Sequence, residues 1–372
     1  MSPVTKDQVM KTLEGVRDPE LGGNVVELGM ITDVDIDGAH VGIGLALTIA
    51  ECPLRSQIEG DTRRRVESMP GVESVDIRTT AMTKRQRAEL MSVARRQARE
   101  NAEPTQVAST TRVIAVASGK GGVGKSSVSV NLAAGLAQEG FKVGLLDADI
   151  WGFSIPRMMG ASGRLEADAE TKLITPVTAN GVEVVSTGLI IDSEETALMW
   201  RGLMLSKALE QFLKQVSWGE LDYLIIDMPP GTGDVQMALT RMLPQAEMIV
   251  ITTPQSAAQR VAIRVADMAR RSHMPVVGVI ENMSGDVFGE GGGKVLADEL
   301  GVALLGAIPL DQAVVEGGDH GRPVVLSQGS GPAASALAAT VEKVMAVVPP
   351  ADMETCTGRI AKLIADLEDG AA

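Results

Sequence analysis

At 372 residues, with 45% hydrophobic and 22% charged side chains, the chain exceeds what one hydrophobic core usually serves and carries enough apolar surface to fold without staples, which predicts two or three domains. A net charge of -14 argues against a general binder of nucleic-acid backbone or of an anionic membrane, since both need a positive field. Aromatics at 2% leave little for base stacking.

No run of about 18 apolar residues appears, and Met1 to Asp7 has no apolar signal core. The expected location is cytoplasmic, where Cys52 and Cys356 are free thiols or ligands rather than a disulfide framework.

In chain order, apolar spacing at Val9, Met10, Leu13 and Val16 predicts a first helix, followed by a turn at Asp18-Pro19-Glu20. Strands are expected over Met30 to Ile36 and His40 to Thr48, joined by the hairpin signal Asp37-Gly38. A charged helix follows Cys52-Pro53-Leu54 to about Met69, then the alternating strand Val72 to Ile77. The basic cluster Lys84, Arg85, Arg87, Arg95, Arg96 and Arg99 reads as a solvated helix face, contact with an acidic partner being the alternative. Residues 1–96 therefore form a small α+β domain. From 97 to 111 apolar periodicity stops and a proline intervenes, which marks a linker.

The second domain spans 112–372. Apolar, β-branched runs at Val113 to Ala117, Val143 to Leu146, Val182 to Val185, Tyr223 to Ile226, Met248 to Thr252, Val276 to Ile280 and Leu304 to Ile308 alternate with helical stretches. That is the pattern of an α/β fold, a mainly parallel sheet flanked by helices on both faces. Asp352 to Leu367 predicts one more helix after Pro349-Pro350.

Gly119 to Ser126 follows Gly-x-x-x-x-Gly-Lys-Ser between the Val113 run and a helix through Leu132 and Leu136, the context in which that spacing binds nucleotide phosphates in a P-loop NTPase. Gly121, Gly122 and Gly124 allow backbone amides to turn inward, with Gly119, Val123 and Ser127 completing a cradle at a helix N-terminus whose dipole favours anions. Lys125 is expected to reach the β- and γ-phosphates of ATP, and Ser126 to ligate Mg²⁺. The run Leu221 to Asp227 ends in a carboxylate, so Asp227 is assigned to Mg²⁺ as well. The glycine-punctuated loop Met228 to Asp234 reads as a switch that responds to the γ-phosphate, with the Gly231 amide offered to it. Asp234 reads as a turn carboxylate. Two further acids, Asp147 and Asp149, stand at the end of the second run, where they are costly unless a metal or an attacking water needs them. Asp149 is the candidate for orienting that water, with helix capping as its alternative. His40, His273 and His320 show no ligand spacing.

A second lysine, Lys120, in Lys120-Gly121-Gly122-Val123-Gly124-Lys125-Ser126, resembles the deviant Walker A of the MinD/ParA class. The resemblance implies a nucleotide-sandwich homodimer in which Lys120 acts on the partner's phosphates. Further segments, Asp147 to Pro156, Trp200-Arg201-Gly202, Trp218 to Tyr223, Asp227 to Asp234, Thr253-Pro254-Gln255 and Glu281-Asn282-Met283-Ser284, resemble one branch of that class, the Mrp/ApbC iron-sulfur cluster carrier ATPases. The likeness runs from about Val113 to Val325 and implies that Asn282 recognises adenine. Asp18-Pro19-Glu20, Glu27 to Met30 and Thr48 to Leu54 resemble the small iron-sulfur assembly domain often fused to these ATPases.

One departure stands out. The family carries Cys-x-x-Cys shortly after Glu-Asn-Met-Ser, two pairs holding a bridging cluster across the dimer. Here Ser284 runs into Gly285 to Gly293 without a cysteine. Clusters are generally held by four thiolates or close substitutes, so a cluster would need both cysteines of two chains, or a cysteine-poor or transient arrangement, with Cys52, inside the matched motif, the first candidate ligand.

The sequence thus points to an ATP-hydrolysing homodimeric carrier that delivers iron-sulfur clusters to apoprotein clients, without nucleic-acid or membrane partners. One alternative is a ParA/MinD-like positioning ATPase, which the acidic charge and the non-basic tail Arg359 to Asp369 oppose. Another is an ATP-dependent client chaperone without a cluster.

Overall fold

The structure is a computed structural model and describes residues 4–19, 23–48, 54–100, 102–150, 152–190, 202–231, 233–327 and 331–350. Cys52, Cys356, Trp151, Thr232, the segment 191–201 and the expected tail helix lie outside the described residues. The chain divides into two compact units, Met1–Asn101 and Ala102–Ala372.

In the first unit, α1 (Lys6–Leu13) opens on a capping box: the Thr5 hydroxyl accepts from the Gln8 amide while the Gln8 side chain accepts from the Thr5 amide. β1 (Ile31–Asp37) and β2 (His40–Leu47) form an antiparallel hairpin whose Asp37↔His40 pairing leaves a two-residue turn, with Gly38 at φ 60°. α2 (Arg55–Glu67) crosses over to β3 (Ser74–Ala81), which runs parallel to β2. Alternate β2 residues Val41, Ile43, Leu45 and Leu47 are buried with Val9, Leu13, Ile58 and Val66 of α1 and α2. α3 (Lys84–Glu100) buries Leu90 and Ala94 and turns Arg85, Arg87 and Arg96 outward. The helix also takes in residues 97–100, placed in the linker from sequence, because Gln, Ala, Arg and Glu are good helix formers that extend a helix without apolar periodicity.

The second unit is laid down as β4 (Arg112–Ser118), α4 (Lys125–Gln138), β5 (Val143–Asp147), α5 (Ile155–Met159), the short hairpin β6 (Glu166–Ala167) and β7 (Ile174–Thr175), then β8 (Val177–Ala179) and β9 (Val182–Val185). α6 (Gly202–Gln215), β10 (Tyr223–Asp227), α7 (Gly233–Met242), β11 (Glu247–Thr252), α8 (Ser256–Arg271), β12 (Val276–Ser284), α9 (Gly292–Leu300), β13 (Ala303–Pro309), α10 (Gln312–Asp319) and α11 (Pro332–Val347) follow. Eight strands make one sheet in the order β13-β12-β11-β4-β10-β5-β9-β8, parallel except where β8 meets β9.

Its strands read as unbroken apolar runs because both faces are covered. In β4, Val113, Ala115 and Ala117 face one core while Ile114 and Val116 face the other. β4 lies between β10 and β11; the crossover from β4 runs past β10 to β5, whereas the one from β10 runs the other way, past β4 to β11. The crevice beyond its carboxyl end is therefore the topological switch point at which open α/β sheets bind ligands. β12 runs four residues past the expected Val276 to Ile280. Asn282 and Ser284 still pair with Ile308 and Pro309 of β13, a partnership that hydrophobic pattern does not reveal.

Candidate nucleotide site

Ser118 ends β4, and the chain turns through Gly119 to Gly124 into α4. Gly122 (φ 77°) and Gly124 (φ 75°) are left-handed, a backbone state natural only to glycine here. Gly124 caps α4 without a side-chain acceptor, so the first-turn amides are available to an anion. Gly119 is fixed by close approach instead: a Cβ would stand 2.5 Å from the Val261 carbonyl carbon and 2.6 Å from the Ala262 nitrogen in α8. Gly121, Val123 and Ser127 complete the loop and the first turn.

The polar centre lies beneath this loop. Asp227 ends β10 and is fully buried. Its Oδ2 sits 2.8 Å from Lys125 Nζ and accepts from Ser126 Oγ at 2.6 Å, while Oδ1 accepts from Ser129 Oγ at 2.7 Å. One carboxylate is thus held by three side chains of the first helical turns. Lys125 is buried too, so each charge relies on the other for compensation.

In register beside Asp227 stands Asp147, the last residue of β5. Burial, and then repulsion from Asp227, push its carboxyl up to about 8, against the opposing pull of Lys125 and of the Ser186 hydroxyl. Asp147 Oδ2 accepts from Ser186 Oγ at 3.1 Å and Oδ1 from the Asp149 amide at 3.1 Å. Sequence reasoning chose Asp149 over Asp147. The structure places Asp149 half-buried with Oδ1 accepting from the Gly152 amide at 3.2 Å, and makes Asp147 the buried acid. The signal was present in sequence: two strand-final aspartates that become neighbours if their strands pair.

Lys120 Nζ donates to Gln255 Oε1 at 3.5 Å, at the N-cap of α8. Gly231 (φ 66°) donates its amide to the Ser118 carbonyl at 3.3 Å, tying the loop after β10 to the phosphate loop. Asn282 is buried with Nδ2 donating to the Val123 carbonyl at 2.9 Å, so it braces the phosphate loop from the β12 side.

Sequence reasoning overlooked Glu281. Its buried carboxylate accepts from Ser284 Oγ at 2.6 Å, from the Gly291 amide at 3.1 Å and from the Gly293 amide. A negative charge thereby faces the N-terminus of α9, where the helix dipole favours it. Gly285 and Gly289 exchange backbone hydrogen bonds at 2.9 and 2.7 Å, closing the loop that lacks cysteine. Among the described residues no group of three or more His, Cys, Asp or Glu is arranged to hold a metal ion, and no helix is long and apolar enough to cross a membrane.

A buried lysine–carboxylate–serine centre under a glycine loop at a switch point is nucleotide-binding geometry. Comparison with known proteins agrees, for the family of NUBPL iron-transfer P-loop NTPases matches residues 109–345. The chain belongs to this family. Its N-terminal part matches a second family, described as iron-sulfur cluster assembly protein, over residues 6–77. This iron-transfer NTPase is 43% identical over 355 residues to a Synechocystis sp. protein named iron-sulfur cluster carrier protein, covering 92% of this chain and 97% of that one. A Mycobacterium tuberculosis protein of the same name is 46% identical over 337 residues, covering 86% and 87%. Among solved structures, an Archaeoglobus fulgidus nucleotide-binding protein in complex with ADP is similar with a TM-score of 0.51 and 32% identity, covering 64% of this chain and 94% of that one. The expected P-loop fold with a small iron-sulfur assembly domain is therefore the fold of this NTPase.

Proposed function

We propose that this P-loop NTPase is a Mg²⁺-dependent ATPase that works as a homodimeric carrier of iron-sulfur clusters to apoprotein clients. The observation that carries the ATPase reading is the buried Lys125–Asp227–Ser126 centre beneath the glycine loop. Ser126 Oγ and the Asp227 carboxylate are hard oxygen donors 2.6 Å apart, the donor chemistry Mg²⁺ prefers, and Lys125 Nζ stands on the same carboxylate oxygen as a positive charge. When bound, Mg²⁺ neutralises charge on the phosphate oxygens.

The chain's own groups do the rest. Amides of Gly119, Gly121, Gly122, Val123, Gly124, Ser126 and Ser127 cradle the phosphates, and Lys125 moves from Asp227 to the β- and γ-phosphate oxygens. Gly231 offers its amide to the γ-phosphate by releasing Ser118. Asp149 orients the attacking water, for which the more buried Asp147 is the alternative. Lys120 leaves Gln255 to reach the phosphates of a second copy, adding positive charge where it develops in the transition state. Asn282, with Nδ2 committed to Val123, recognises adenine through its carbonyl oxygen.

The cluster is cargo. The names of relatives at 43% and 46% identity support the carrier role, and the two cysteines of each of two chains supply the four thiolates a cluster needs. Cys52, in the assembly domain, is the ligand proposed first. The Glu281-held loop without cysteine favours one other reading, a client chaperone that kept the ATPase without the cargo.

Two measurements separate these readings. Turnover unchanged in Lys125→Ala sinks the ATPase assignment. Anaerobic reconstitution with iron and sulfide, followed by iron, labile-sulfide and visible-absorbance analysis beside Cys52→Ala, tests the cargo. Cluster in the wild type and none in the variant establishes the carrier with its ligand in the N-terminal domain, whereas no cluster in either leaves the chaperone.

A further inference from the structure

Glu281 is 1% exposed, and among the described residues no cation pairs with it. A carboxylate is costly to bury unless it is hydrogen-bonded, and here neutral donors alone satisfy it: Ser284 Oγ and the amides of Gly291 and Gly293. All of them follow it in the chain, in the loop after β12 and at the start of α9. The carboxylate therefore closes that loop onto the end of the strand.

Adjacent residues of a strand face opposite ways, and the end of β12 uses both faces. Glu281 faces α9, where a Cβ on Gly293 would stand 2.6 Å from the Glu281 Cβ. The start of α9 is itself anchored, since a Cβ on Gly292 would collide with the Pro254 carbonyl and the Gln259 side chain. Asn282 faces the phosphate loop, where its Nδ2 donates to the Val123 carbonyl and would collide with any Cβ on Gly124. Met283 then turns left-handed at φ 61°, a strained state for a residue with a side chain. Its Cε lies 3.3 Å from the same Cβ position on Gly124. Gly124 is the N-cap of α4, the helix whose first-turn amides are available to an anion. The two residues that follow Glu281 thus bear on the one that aims those amides.

We propose that Glu281 is a positioning residue for the nucleotide. By tying Ser284, Gly291 and Gly293 to the end of β12, it holds Asn282 against Val123 and Gly124 and keeps the phosphate loop in its binding form. It acts through Asn282, with Met283 in support, and not by contact with the nucleotide. Coupling between two sites is reciprocal, so a bound nucleotide in turn steadies the loop from Gly285 to Gly291. The inference rests on the nucleotide-site reading and is independent of hydrolysis and of cargo.

Its test is titration calorimetry of the full chain with Mg²⁺-ADP, beside Glu281→Gln, Ser284→Ala, Asn282→Ala and the double variant Glu281→Gln/Asn282→Ala. Glu281→Gln should weaken ADP binding about tenfold or more, within the usual range for coupled sites. Ser284→Ala leaves the carboxylate both of its amide donors and should weaken binding by about threefold, so it supplies the answer if Glu281→Gln does not fold. In the Asn282→Ala background, Glu281→Gln should cost no more than about a further twofold, because its route is already cut. Hydrogen exchange gives a second readout that a merely structural role would not move: saturating ADP should slow the Gly293 amide in the wild type and leave it unchanged in Asn282→Ala. A wild type that binds no ADP fails the nucleotide reading and this inference with it. A wild type that binds ADP, with Glu281→Gln and Ser284→Ala both within about twofold of it, overturns this inference alone. An equal loss from Glu281→Gln in both backgrounds, or Gly293 exchange indifferent to ADP in the wild type, overturns it as well.

Discussion

Replacing Lys125 by methionine removes the one cation that, among the described residues, pairs with Asp227, a carboxylate with no solvent exposure. Methionine keeps most of the apolar stem, so the loss is chiefly that of charge. At 2.8 Å and an effective dielectric constant of about 20, the attraction is roughly 6 kcal/mol. Part of it is offset because Ser126 and Ser129 continue to donate to the carboxylate. Breaking a buried pair by deleting one partner costs about 3–5 kcal/mol, and the nucleotide-free variant should fall in that range.

The assay is urea unfolding followed by tryptophan fluorescence, which reports the second unit alone because Trp151, Trp200 and Trp218 all belong to it by sequence. Trp218 is buried with Nε1 donating to the Phe212 carbonyl at 3.1 Å. With an m-value of ~2–3 kcal/mol/M, the midpoint should drop by about 1–2.5 M. Asp227→Asn supplies the second arm, because without the carboxylate charge Lys125→Met should cost less than about 1 kcal/mol. A midpoint within about 0.3 M of wild type, or the same loss in the Asp227→Asn background, would refute the claim that each charge depends on the other.

Asp147 makes stability depend on pH in a direction opposite to that of a paired surface carboxylate. Its folded value, about 8, lies above the ordinary 3.8, so between these limits the folded chain holds a proton that the unfolded chain has lost. Its contribution therefore falls as pH rises, by up to ~1.4 kcal/mol per pH unit, and levels off above about 8. In chelator and without nucleotide, the advantage of Asp147→Asn over wild type should grow from pH 5 to 8 in urea midpoints; a constant difference contradicts the reading. Glu281→Gln keeps one acceptor oxygen, enough for Ser284 and Gly291, and turns an amino group that cannot accept toward the Gly293 amide. At about 1–3 kcal/mol, amide exchange at Gly293 should accelerate ~10–100-fold while β10 is unaffected, and unchanged exchange at Gly293 argues against the carboxylate holding the loop.

Much of the site was legible because its signals are local. The glycine spacing, the lysine after it and a carboxylate closing an unbroken apolar run each lie within a few residues, and the fold carries them to one place. Glu281 left no such trace. Glu281 works through amides ten and twelve residues away, across a turn whose shape depends on left-handed Met283, Gly285, Gly289 and Gly291. The end of β12 was similarly hidden, since Glu281 to Ser284 is a polar sequence that becomes strand through pairing with β13. The choice of Asp149 over Asp147 turned on strand order, because β10 inserts between β4 and β5 and brings Asp227 against Asp147.

Where Gly119 meets Val261 and Ala262, main chain rests on main chain with no side chain between them. Side chains ordinarily cushion helix against loop, since a rotamer can change while the backbone stays still. Here that cushion is missing, so main chain of α8 bears directly on the glycine that opens the phosphate loop. Any residue larger than glycine at 119 would therefore have to push α8 away, so the position of α8 and the path of the loop are set by one contact.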